Sequence, residues 1–217
     1  MKCLIITHVP HILKNNNFFA YGPYVREVNL WAEEFDELTL IAPFHESKLN
    51  KIHEKYCHPK INFVASKSFN FISPANTINA ILIIPFLFYK IFREMKECNH
   101  IHIRCPGNYG LLALIAQFFF PNKIKTVKYA GNWDPKSNQP LSYKLQKYIL
   151  NNTFLCKNVK VLVYGKWPGS SKNIIPFFTA TYSKSEATHF KKGNFNENLK
   201  LIFIGTLTEN KRPEICI

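Results

Sequence analysis

Three short stretches of this 217-residue chain combine residue types that could hold a sugar or a phosphate. The first runs from Thr7 through His8 and His11 to Gly22, where Gly22-Pro23 opens a helical pattern. A helix start offers unpaired N–H groups and partial positive charge, and a glycine lets a ligand approach the backbone. Gly22 alone is weak evidence and reads more readily as a plain helix cap. His8 is a candidate proton-transfer group, since imidazole titrates near neutral pH. The second stretch is Arg104-Cys105-Pro106-Gly107-Asn108. There an arginine beside a glycine turn suits an anionic or hydroxyl-rich ligand, with Asn108 as a further contact, or pairs with a local carboxylate. The third is Gly131-Asn132-Trp133-Asp134. Asn132 and Asp134 can bond sugar hydroxyls while Trp133 offers a stacking face; the alternative is an Asx turn beside an aromatic.

Other constellations carry less. His100 and His102 share one strand face, but no third ligand is near them in sequence, so a metal site is not expected. No G-x-G-x-x-G follows the first apolar run, and no P-loop, G-x-S-x-G or H-E-x-x-H occurs, which argues against nicotinamide, P-loop, serine-hydrolase and zincin chemistry.

The three stretches follow candidate strands. Lys2–His8, Glu37–Ala42, Ile61–Ala65, His100–Cys105, Lys125–Ala130 and Val159–Val163 are apolar or alternating runs, separated by helical patterns. Helices are expected from Gly22, from Ser73-Pro74 to about Cys98 with a bend at Pro85, over Gly110–Phe120 and over Leu141–Cys156. Pro10–Asn17 reads as a polar loop. Strand–helix alternation predicts an α/β fold with a doubly wound, Rossmann-like parallel sheet, whose ligands bind beyond the carboxyl ends of the strands. The expected organisation is a Rossmann-like domain over 1–165, a crossover linker over 166–198, and the start of a further domain over 199–217.

Twenty-eight basic against 14 acidic side chains give a net charge of +14. That field attracts polyanions, including phosphate-bearing ligands and an anionic membrane surface. The lysines are dispersed rather than gathered in an arm, so nucleic acid is not expected as a partner. Six cysteines without C-x-x-C spacing suit a reduced, cytoplasmic chain. The most apolar segment, Ala80–Phe88, is short of a membrane span and contains Pro85, so any membrane attachment is expected to be peripheral, on the inner face.

Four segments resemble the amino-terminal domain of GT-B glycosyltransferases of the large group-1, nucleotide-sugar-dependent family. They are GPYVREVNLWAEEFDELTLIAP (Gly22 to Pro43), HIHIRCPGNYGLLALIAQFF, VKYAGNWDPKSNQPLSYKLQKYIL and LKLIFIGTLTENKRPE, the last similar to the first strand of the family's second domain. The resemblance implies retaining transfer of a sugar from a nucleotide-sugar donor to a glycan or lipid-linked acceptor in surface-polysaccharide synthesis, with no cofactor and no metal. The acceptor would be recognised by the first domain. Gly22, Lys211 and Arg212 would face the donor phosphates, Lys211 neutralising the departing diphosphate. Pro23 stands in place of the family's second glycine, and Thr206 where an arginine is common. The family's carboxyl-terminal glutamates have no counterpart before Ile217, so a truncated, inactive second domain is expected. A rival expectation is a non-catalytic Rossmann-like module that binds glycans or lipid head groups.

Overall fold

The computed structural model describes residues 1–178, together with 202 and 203. The chain divides into two compact units, Met1–Thr181 and Tyr182–Ile217. Lys211, Arg212 and most of the strand expected near 199–207 lie outside the described residues.

In the first unit the elements run β1 (Lys2–Ile6), β2 (Ile12–Lys14), β3 (Asn17–Tyr21), α1 (Gly22–Ala32), β4 (Glu37–Pro43), β5 (His53–Lys55), β6 (Ile61–Ser66) and α2 (Pro74–Glu97). They continue with β7 (His100–Cys105), α3 (Asn108–Ala116) and its 3₁₀ extension Gln117–Phe119, β8 (Ile124–Tyr129), α4 (Leu141–Leu150), β9 (Val159–Val163) and β10 (Ile174–Pro176). Seven strands form one parallel sheet in the order β10-β9-β8-β7-β1-β4-β6. The chain winds outward from β1 through β4 to β6, then crosses back to build β7 to β10 on the other side. This is the doubly wound, Rossmann-like arrangement, and its direction of winding reverses between β1 and β7.

The sheet has two unlike faces because side chains alternate along each strand. One face carries residues such as Leu4, Ile6, Ile103 and Val161. It packs against Leu87 and Ile91 of α2, Leu114 of α3 and Ile149 of α4 in one apolar core. On the opposite face Cys3, Ile5, Leu38 and Leu40 meet Tyr24, Val25 and Val28 of α1 in a second, smaller core. Beyond α1 that face turns polar: the in-register rows of β7 and β8 bring His102 beside Thr126 and Arg104 beside Lys128.

Several elements differ from the sequence expectation. The segment read as a polar loop over Pro10–Asn17 contains β2 and the start of β3, which pair antiparallel through Lys14 and Asn17. Asn15 and Asn16 turn the hairpin with φ of 49° and 59°, the left-handed conformation that asparagine tolerates and two-residue hairpins require. β5 adds a third strand to this small sheet. Part of the expected 166–198 linker is β10, which extends the parallel sheet along β9. The α4 helix stops at Leu150 rather than near Cys156. There the side chain of Asn152 accepts the N–H groups of Phe154 and Leu155 and starts a separate turn. The α2 helix begins as expected, with Ser73 accepting the Asn76 N–H at 3.2 Å and Pro74 in the first turn, and it continues through Pro85 to Glu97.

Candidate functional site

Where the winding reverses, the loops that leave β1 and β7 face each other, and this is where open α/β sheets bind ligands. His8 follows β1 and remains exposed to solvent. Its ring lies on the backbone of Gly107, where a Cβ would stand 2.9 Å from His8 Nδ1. Gly107 has a φ of 153°, outside the range that side chains favour, so two independent constraints reserve that position for glycine. Its N–H donates to the buried Gln146 Oε1 of α4 at 3.3 Å. Gly107 also precedes α3, whose amino terminus carries no side-chain cap and so adds partial positive charge to the rim.

The rim extends to the loop after β8. The Ala130 N–H donates to the Cys105 carbonyl at 2.6 Å, and a Cβ on Gly131 would meet Pro106 Cδ at 3.1 Å. The peptide bond between Cys105 and Pro106 is cis. Three strand ends thus form one continuous edge: His8, then Pro106-Gly107, then Gly131.

Beneath this edge lies a charged group on the polar face of the sheet. The Arg104 guanidinium sits over the Tyr24 ring at 4.8 Å and 3.9 Å from Glu27 of α1, with both charged side chains largely buried. Lys128, one strand over, is fully buried. Its Nζ has no hydrogen-bond partner among the described residues, and lies 4.1 Å from the centre of the Tyr164 ring and 4.0 Å from that of Phe177. Ring faces are weaker partners for an ammonium than oxygen atoms. Burial therefore lowers the Lys128 pKa to about 8, opposed by Glu27 and reinforced by Arg104. Desolvation and then Arg104 also hold His8 below the usual imidazole range, which leaves it neutral and able to accept a proton near pH 7. Two cations against one carboxylate make the group net positive, suited to an anionic ligand. Lys128 is the residue that sequence reasoning missed; the only signal was a lysine on the sheet face of an otherwise buried strand.

The remaining candidates are placed as follows. Gly22 is buried away from the rim: its N–H donates to the Ile52 carbonyl at 2.7 Å, and Glu54 Oε1 would lie 3.0 Å from an added Cβ. The small antiparallel sheet covers the helix start, so this amide does not face a donor phosphate, which corrects the expectation for Gly22. Trp133 is corrected likewise. It is 5% exposed and packs edge-on against Tyr129, 5.0 Å between ring centres, as part of the main core instead of a free stacking face. It borders a cleft of about 540 Å³ with Lys147 and Asn151, and neither Gly22 nor Arg104 lines that cleft. Asn132 and Asp134 form successive Asx turns, accepting the N–H groups of Asp134 and Lys136 at 2.9 Å each. The Asn108 side chain donates to the Phe69 carbonyl at 3.1 Å and ties α3 to the loop after β6. Of the expected set, the structure brings together His8, Arg104 and the Gly107 backbone.

His11, His100 and His102 are structural. His11 donates from Nδ1 to the Val9 carbonyl at 2.8 Å and accepts from the Tyr56 hydroxyl at 2.6 Å, and burial lowers its pKa to about 4. His100 and His102 both meet the Thr126 hydroxyl at 2.9 Å. Among the described residues no group of three histidine, cysteine or acidic side chains could hold a metal ion.

No protein-family model matches the chain, and no curated protein sequence matches it.

Proposed function

We propose that this chain is the acceptor-side domain of a GT-B glycosyltransferase, which moves a sugar from a nucleotide-sugar donor to a glycan or lipid-linked acceptor. The observation that carries the reading is the contact of His8 with the Gly107 backbone at the β1/β7 reversal, with Arg104 and Lys128 behind it. The sequence resemblance supplies the reaction class; the rim supplies groups that suit it.

In such a transfer the bond from the sugar's anomeric carbon to the donor phosphate breaks, and the anomeric carbon bonds to an acceptor oxygen. The acceptor hydroxyl loses its proton and the nucleoside diphosphate leaves as an anion. A neutral His8 suits the acceptor hydroxyl, as a hydrogen-bond acceptor that orients it or takes its proton. Arg104 suits a phosphate on a lipid-linked acceptor. Charge on the departing diphosphate would fall to Lys211 and Arg212, as the resemblance implies.

Titration calorimetry with a short-chain, water-soluble saccharide diphosphate tests this reading without any lipid phase. Saturable binding is expected, weakened roughly tenfold by Arg104→Gln, the loss of one charge-assisted hydrogen bond. Binding that neither Arg104→Gln nor His8→Ala alters would refute it.

A further inference from the structure

The longest helix presents an apolar face to solvent. Ala80, Leu87, Ile91 and Met95 of α2 are buried against the sheet and α3. On the opposite side Ile78, Ile81, Leu82, Phe86 and Tyr89 are 61 to 74% exposed. Their spacing places them on one line down the helix. No charged residue occurs between Pro74 and Tyr89. The exposed pair Phe71 and Ile72 continues the patch before the helix, and Phe119 continues it sideways through a 5.6 Å contact with Phe92. Patches of this extent on a water-facing surface mark a docking site.

We infer that the outward face of α2 docks this protein on anionic lipid bilayers, with the helix lying in the plane of the interface. By length and composition the 24-residue helix is apolar enough to cross a membrane. Crossing would remove its buried side from the sheet, whereas lying flat uses both sides as they stand. The charges select the occupant. On the line of the stripe, one and two turns past Tyr89, stand Arg93 and Lys96, with Lys123 bonded to the last carbonyls of the helix. Glu94 is buried and held by Arg93 at 2.8 Å, which leaves Glu97 as the exposed acid of the last turn. A second copy of the chain would set a charge of +14 against +14 across the patch, while an anionic surface answers the same charge.

A cleft of about 700 Å³ adjoins the stripe and shares Leu82 and Phe86 with it. Phe44, Ile83 and Leu87 make it largely apolar, and Lys67, Lys90 and Glu46 are its charged residues. Lys90 gives one proton to the Ala65 carbonyl at 2.9 Å and keeps two for a phosphate. An acyl chain in the cleft with its phosphate at Lys67 and Lys90 would anchor one lipid of the bilayer. Docking of this kind does not depend on sugar transfer.

Flotation of the full 217-residue chain with vesicles tests the inference. Vesicles of phosphatidylcholine alone are compared with vesicles containing about one third phosphatidylglycerol, where the anionic lipid attracts basic side chains. The chain is expected to float with the anionic vesicles. Ile81→Ser with Phe86→Ser should lower partitioning at least tenfold, roughly the loss of two inserted side chains, at an unchanged far-ultraviolet circular dichroism spectrum. Lys67→Gln with Lys90→Gln should lower it several-fold. Three results would overturn the inference: no flotation with anionic vesicles, equal flotation of the Ile81/Phe86 variant, or a dimer in light scattering that this variant converts to monomer.

Discussion

The two faces of the parallel sheet are built from the same strands and do different work. The face under α2, α3 and α4 is apolar across its width, from Ile41 to Val163. The other is apolar only under α1, and past β1 it carries His102, Thr126, Arg104 and Lys128. Stability asks for the first pattern and gains little from the second, because a buried cation without an oxygen partner disfavours folding. On that face His102 and Thr126 satisfy each other, so it is the charged pair Arg104 and Lys128 that suits an anionic ligand, while an aromatic on the apolar side, such as Trp133, points to packing. The contrast separates residues by what surrounds them, not by their chemical type.

The largest effects belong to the apolar face. Trp133→Ala should cost about 3–5 kcal/mol of stability, as for other large core truncations. Urea unfolding measures it, and ligand affinity per folded molecule should not change. A weakened affinity would return Trp133 to the binding surface and blur the distinction between the faces. Ile103→Ala, also fully buried, should cost about 2–5 kcal/mol.

At the boundary between the regions, Gly107→Ala forces a side chain into an unfavourable φ and into the His8 ring. A loss of about 1–3 kcal/mol is expected. Unlike the core variants, it should also displace the His8 imidazole resonances and weaken binding at the rim.

The polar face should respond with the opposite sign. Lys128→Met removes a buried cation and should raise stability by about 1 kcal/mol or more. The pH dependence sharpens the point. Folding lowers the Lys128 pKa from 10.5 to about 8, so this lysine makes stability rise with pH between those values, while the buried thiols of Cys3, Cys98, Cys105 and Cys156, all raised from 9.0, oppose it above about pH 9. Lys125, also lowered to about 8 by burial, contributes in the same window. Lys128→Met should make the rise between about pH 8 and 9 shallower. At lower pH the same sign applies to His11 and His102, whose pKa values fall from 6.5 to about 4 and about 3. Stability should thus decline as the pH drops below about 6.5, most of all near the lower values.

The smallest effect tests the null end of the comparison. Asn132→Ala removes one Asx-turn bond on an exposed loop and should cost about 0.5–1.5 kcal/mol, with no effect on binding.

Much of this fold was legible because its strands and helices announce themselves locally. HIHIRC and VKVLV occupy the strands their patterns indicate, and Ser73-Pro74 marks the start of α2 as a capping serine followed by proline should. What escaped depended on distant partners. The Asn15-Asn16 turn lacks the glycine that usually signals a two-residue hairpin, and β5 and β10 have only three residues each. The Gly22 amide was read as open because its acceptor, Ile52, comes 30 residues later, in a segment with no pattern of its own. Trp133 sits among polar neighbours in sequence, and only the fold brings Tyr129 and the main core against it. The candidate site was legible as a set of strand ends: His8 follows β1 and Arg104 is the penultimate residue of β7. Lys128 was not singled out, since alternation places a lysine on a face without telling whether that face is covered.

The most direct test of a ligand rim at the winding reversal is amide and imidazole chemical-shift mapping of the labelled chain, titrated with a short-chain saccharide diphosphate. Saturable shifts should centre on His8, Gly107, Gly131 and Arg104, and need roughly tenfold more ligand with Arg104→Gln. Shifts confined to the Trp133–Asn151 cleft, or absent throughout, would contradict a binding site at that edge.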